Sequence, residues 1–161
     1  PNYDAVLLVE GVTDIRTIQQ IRRILGHRTN VVVLPLGGDA LASGNRAQEL
    51  AEIMHLSPTT YAIVDSERDA HGDDPQKNRM EFEKECAAVG ISSLILDRRS
   101  IENYFPEHAV RRVYGPTATA LLPFDRTPSG WSKDQNWRVA KEMQPADLAG
   151  TDLLQFLETI G

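Results

Sequence analysis

A single cysteine, Cys86, stands in this chain of 161 residues, so no disulfide can form within it. Phe82, Cys86 and Val89 recur at helical spacing, which makes Cys86 a core-filling side chain suited to a reducing cytosol. No apolar run approaches the roughly 20 residues of a membrane-spanning helix, and no signal peptide opens the chain. His27, His55, His71 and His108 show no ligand spacing, and with one cysteine this argues against a structural zinc site. Positive charge is also short: 17 Lys and Arg against 23 Asp and Glu leave a net charge of −6. Passive binding to a polyanion is thereby disfavoured, unless the acids gather where divalent cations reverse the local field. Internal repeats, low-complexity tracts and a Walker A motif are all missing.

What is there is an ordinary globular composition, 41% apolar and 25% charged, enough for one sizeable core. The chain begins at Pro1 without a methionine, and its last segment reads as helical up to Gly161. We therefore expect a piece of a longer protein.

Residues 5 to 9 (A-V-L-L-V) read as a continuously buried strand. Ile15, Ile18, Ile21 and Leu25 then share one face of a helix over 13–25, with Gly26 at its C-terminal cap. A second strand is expected at 30–36, a turn at Gly37-Gly38 and a helix at 45–56. The third strand spans 60–65, a helix 77–89 and the fourth strand 91–97. Strands alternating with helices imply crossover connections and a parallel sheet covered on both faces. The expected fold is α/β, a Rossmann-like parallel sheet of about four strands in residues 1–100, followed by a helical extension over 101–161. Within the extension, 100–114 reads as helical with a break at Pro106, 115–130 as loop, and 132–144 and 151–160 as helices, the last capped by Thr151.

In open parallel sheets, ligands gather at the carboxyl ends of the strands, and here those ends carry acids. Glu10 closes the first strand, with Asp14 on the next helical turn. Asp65 closes the third, followed by Glu67 and Asp69. Asp97 closes the fourth, followed by Glu102. Like charges that converge need a cation between them, and hard oxygen ligands suit Mg²⁺ or Mn²⁺. A pair of such ions serves phosphodiester chemistry. Each acid also has a bland reading. Asp14 alone reads first as a cap or dipole partner, and Asp69, Asp73 and Asp74 as solvated loop acids. Glu10 and Asp65 differ, because a bare carboxylate at the end of a buried strand is costly.

V-E-G-V-T-D after the first strand, G-G after the second and D-S-E-R-D after the third resemble a Toprim domain. L-D-R-R-S-I-E-N-Y-F, residues 96–105, is similar to the corresponding segment of OLD-family (overcoming lysogenization defect) nucleases, and the likeness covers about residues 3–105. It implies a nuclease domain that hydrolyses DNA with two Mg²⁺ or Mn²⁺ ions, preceded in the full protein by an N-terminal ATPase domain. The family has an Asp-x-Asp pair after the third strand; here the second position is Glu67, with Asp69 next.

On this resemblance Glu10, Asp14 and Asp65 hold one ion, with Glu10 orienting the water, while Glu67, Asp69 and Glu102 serve the second. A lysine beyond the core is also implied; Lys133 in W-S-K-D-Q-N-W is the candidate, placing positive charge beside the phosphate, with Lys141 competing and a solvated lysine an equal reading of Lys133. Gly37 and Gly38 permit close approach of a phosphate, or form a plain turn. Arg98 and Arg99, beside the acids, are the expected nucleic-acid contacts; Tyr104 and Phe105 offer base stacking or, more simply, core packing. Trp131 and Trp137 are expected to anchor the extension. Nothing reads base sequence, so DNA contacts are expected along the backbone, with an oligomer through the missing region compatible with the sequence. Three other readings remain: a topoisomerase or primase Toprim domain, a phosphoacceptor domain, and a binding module with an inactive metal site.

Overall fold

The computed structural model describes residues 2–37 and 46–161. The five buried residues of β1 (Ala5–Val9) form a central strand, and α1 (Val12–Ile24) follows after one turn. Next come β2 (Val31–Pro35), α2 (Ala47–Leu56), β3 (Thr60–Val64), α3 (Lys77–Val89) and β4 (Ser92–Ile95). The four strands pair in the order β2-β1-β3-β4, all parallel. β1 and β3 are therefore neighbours at the centre, with Val6 opposite Thr60 and Leu8 opposite Ala62.

Alternation along the strands sorts the core into two layers. Val6, Leu8, Ala62 and Val64 face Leu50 of α2 and Phe82 and Cys86 of α3. Leu7, Val9 and Ile63 face Ile18 and Ile21 of α1 and the side chains of the extension. The extension holds a 3-10 turn (Ile101–Tyr104), α4 (Glu107–Tyr114), a second 3-10 turn (Lys133–Gln135), α5 (Asn136–Lys141), a third (Pro145–Leu148) and α6 (Asp152–Ile160). Ala109, Val139, Ala140, Leu148, Leu153 and Leu157 are fully buried in that second layer. The sheet, its flanking helices and the helical C-terminal region are as the sequence leads one to expect.

The differences are local. β4 is shorter than 91–97 because the Asp97 N–H leaves the strand ladder for the Asp152 carboxylate, 2.8 Å away. The helix expected at 132–144 is split, since a 3-10 turn precedes α5. The unpredicted turn at Pro145–Leu148 is closed by the Gln144 N–H donating to Asp147 Oδ2 at 2.6 Å. Pro106 does mark the entry to α4, and Thr151 Oγ1 caps α6 by accepting the Leu154 N–H. Trp131 packs against Tyr114 with ring centroids 4.8 Å apart, and Arg16 of α1 lies 4.0 Å over the Trp137 ring, so both tryptophans tie the extension down. Among the described residues no helix is long and apolar enough to cross a membrane.

Candidate functional site

Adjacent parallel strands deliver Glu10 and Asp65 side by side. The Asp65 N–H donates to Glu10 Oε2 at 2.8 Å, so the two strand ends are linked through one carboxylate. One turn into α1, Asp14 faces the same point, its Oδ2 accepting the Gly11 N–H at 3.0 Å. Asp65 Oδ1 in turn accepts the Ile101 N–H at 3.2 Å, which docks the 3-10 turn carrying Glu102. Glu102 is 2% exposed and accepts from Asn136 Nδ2 at 3.1 Å. Asn136 is itself oriented by the Trp131 indole N–H, 2.9 Å from its Oδ1. A chain of hydrogen bonds thus runs from the extension to a buried carboxylate at the rim.

The electrostatics show how close these groups lie. Burial pushes the Asp14 carboxyl up from 3.8 to about 6, and the charges of Glu102 and Glu10 add to the rise against the Gly11 N–H and Lys133. Asp65 is held well above the usual carboxylate range, first by burial and then by Glu10, Asp14 and Glu102. Lys133 is raised: its partial burial works the other way but is outweighed by Glu102, Asp65, Asp14 and Glu67. Five acids and one lysine therefore share one field. Lys141 lines a separate cavity with Arg112, Trp137 and Arg138, so of the two competing lysines Lys133 is the one beside the acids.

A cavity of about 310 Å³ opens over this point, lined by Asp65, Glu67, Arg99, Ser100, Glu102, Arg126, Thr127 and Lys133. Glu67 holds an unusual backbone, φ +58°, in the left-handed region that side chains other than glycine rarely adopt. Its strain is held by its neighbours. The Ser66 and Glu67 N–H groups both donate to the Arg99 carbonyl, at 3.1 and 3.0 Å.

Arg99 departs from its expected role. It is 7% exposed and donates to Glu67 Oε2 and Asp69 Oδ1, each at 2.9 Å, and to the Glu67 and Arg68 carbonyls. A buried guanidinium needs its donors satisfied, and here the loop itself satisfies them rather than a nucleic-acid phosphate. Glu67 and Asp69 are correspondingly engaged by Arg99, and Asp69 lies exposed beside Arg126, outside the lining of this cavity. Arg98 is partly buried, 4.7 Å over the Tyr104 ring and donating to the Asn103 carbonyl. Tyr104 and Phe105 are buried in the core, which takes them from base stacking. Asp97 lines a different cavity, with Arg68, His71, Asp73 and Asp74. Gly37 has φ +83°, a turn conformation that requires glycine; Gly38 lies outside the described residues. Cys86 is fully buried, its thiol pushed up to about 12, first by that burial.

The sequence reading missed Arg79. From the first turn of α3 its Nη2 reaches Glu10 Oε1 at 2.5 Å, across 69 residues of chain. Neither periodicity nor spacing carries a signal for such a contact. Ser100, Arg126 and Thr127 were missed as cavity walls for the same reason.

For a divalent cation the donors present are chemically suited: all are hard carboxylate oxygens, and the like charges crowding Asp65 are what a cation relieves. Among the described residues no three acid, His or Cys side chains converge as a ready-made cage, since Glu10 is held by Arg79 and the Asp65 N–H. Comparison with family models, curated proteins and solved structures returned no match.

Proposed function

We propose that this chain is the metal-dependent nuclease domain of an OLD-type protein, a Toprim core with a helical extension that hydrolyses phosphodiester bonds in DNA. The observation that carries the reading is the meeting of Glu10 and Asp65 on adjacent strand ends, with Asp14, Glu102 and Lys133 in the same field. Glu10, Asp14, Asp65 and Glu102, with Glu67 at the cavity wall, are the oxygen ligands for Mg²⁺ or Mn²⁺, two ions by the resemblance. When bound, such cations supply the charge that activates water and steadies the leaving oxygen. Lys133 sets its ammonium beside the phosphate and offsets charge developing there. Arg126, 75% exposed at the mouth of the cavity, meets the next phosphate along the backbone. Such contacts carry little sequence preference. The full protein adds an N-terminal ATPase domain and acts in the cytoplasm, where Cys86 stays reduced.

The Arg79–Glu10 pair favours one other reading, a binding module whose metal site is inactive. Supercoiled plasmid incubated with Mn²⁺, Mg²⁺ or EDTA separates the two. Metal-dependent nicking or linearisation is expected, abolished by Glu10→Ala and by Asp65→Ala with the fold retained by circular dichroism. Full activity in either variant removes the proposed role.

A further inference from the structure

Both oxygens of the Glu10 carboxylate are taken: Oε2 by the Asp65 N–H and Oε1 by Arg79 Nη2. The pair is largely out of water, with side chains 13% and 15% exposed for Arg79 and Glu10. At that depth a carboxylate needs a counter-charge, and the field of Lys133 falls instead on Glu102, Asp65, Asp14 and Glu67. Arg79 comes from α3, in the layer opposite the one that supplies Asn136, Glu102 and Lys133.

Its own bonding is incomplete. Nε is buried without a partner, while Nη1 donates to Gln76 Oε1 at 2.7 Å and Asn78 Oδ1 at 3.2 Å at the start of the same helix. The guanidinium therefore has a second set of acceptors that remains if Nη2 lets go, and a donor that gains nothing from the present pose.

We infer that Arg79 is a resident counter-ion for Glu10 that a divalent cation displaces, so that its withdrawal sets the affinity of the metal site. The inference rests on the metal-site reading above. It makes metal uptake an exchange, one positive charge leaving the carboxylate as two arrive, and Gln76 with Asn78 the resting place of the displaced side chain.

The test is Mn²⁺ binding to the protein, followed by calorimetry and by the metal's paramagnetic resonance, with thermal melting as a second readout. Arg79→Gln is expected to bind Mn²⁺ about tenfold more tightly, in the ordinary range of coupled sites. Without metal it melts lower than the parent, because Glu10 then faces Asp14, Asp65 and Glu102 uncompensated; with Mn²⁺ its melting temperature rises by more than the parent's. Lys77→Ala, which removes an equally positive but 87% exposed side chain from the same helical turn, leaves affinity unchanged. Gln76→Ala keeps the charge of Arg79 but removes part of its resting place; it weakens Mn²⁺ binding, and carries the test should Arg79→Gln not fold. Equal affinity in parent, Arg79→Gln and Gln76→Ala, with Glu10→Gln alone losing the ion, overturns the exchange and leaves the metal site standing. Tightening by Lys77→Ala to the same degree also overturns it, as general charge. No binding to any variant, together with no plasmid cleavage, removes the metal site and the exchange together.

Discussion

At the scale of single residues, two carboxyls govern how the metal-free protein responds to acid. Asp14, raised from 3.8 to about 6, and Asp65, held well above the usual carboxylate range, both hold protons more tightly folded than unfolded. Their contribution to stability is fully present below the unfolded carboxylate value and is lost as pH rises through the folded values. For Asp14 the rise corresponds to at most about 3 kcal/mol. EDTA-treated protein is thus expected to melt higher near about pH 5 than near about pH 8, and Asp65→Asn to flatten that dependence. A parent profile as flat as the variant's contradicts the crowding described. Cys86 offers a simpler check: with its thiol buried and raised to about 12, it is alkylated only on unfolding, as thiol labelling followed by mass measurement shows. Glu10 and Asp65 were legible in the sequence because a carboxylate ending an apolar strand is physically anomalous there. Arg79 was not, because an arginine in a helical first turn looks solvated until the fold brings Glu10 beneath it. The left-handed Glu67 was invisible for a similar reason, since only tertiary contacts hold a non-glycine residue at φ +58°.

At the scale of elements, the rim is assembled by loops that bind one another. Arg99 joins the segment after β3 to the segment after β4, and Asn136 joins α5 to the 3-10 turn bearing Glu102. Removing the Asn136 amide strands a buried carboxylate and the Trp131 indole N–H together. Asn136→Ala is expected to cost about 1–3 kcal/mol in denaturant unfolding, and to lower Mn²⁺-dependent cleavage by more than any change in Lys141 does. The strands and longer helices of the core followed from the sequence, α3 at Lys77–Val89 with its bounds, whereas β4 is shorter than expected and the helix at 132–144 is split. The 3-10 turns did not, because they are set by side-chain hydrogen bonds such as Gln144 N–H to Asp147, which leave no periodic trace. They are the elements that bring Glu102 and Lys133 into place.

At the scale of the molecule, residues after 100 supply much of the core layer over one face of the sheet. A chain ending at 100 leaves Leu7, Val9 and Ile63 covered only by α1, and is expected to be insoluble or to lack dispersed amide resonances in solution. Within the full chain, Leu157→Ala removes a fully buried side chain of that layer and is expected to cost about 2–5 kcal/mol by denaturant titration. The parallel pairing of β1 with β3, Val6 opposite Thr60 and Leu8 opposite Ala62, has a further effect. Side chains along a strand alternate, so sliding one strand by a single position trades Asp65 for Ser66, which is fully enclosed. On the proposed function, Mn²⁺-dependent cleavage would thereby gauge strand alignment. A core substitution that shifts the register is expected to take Asp65 from the rim and to lower the melt with it, because the shift turns the strand's buried side chains to the opposite face.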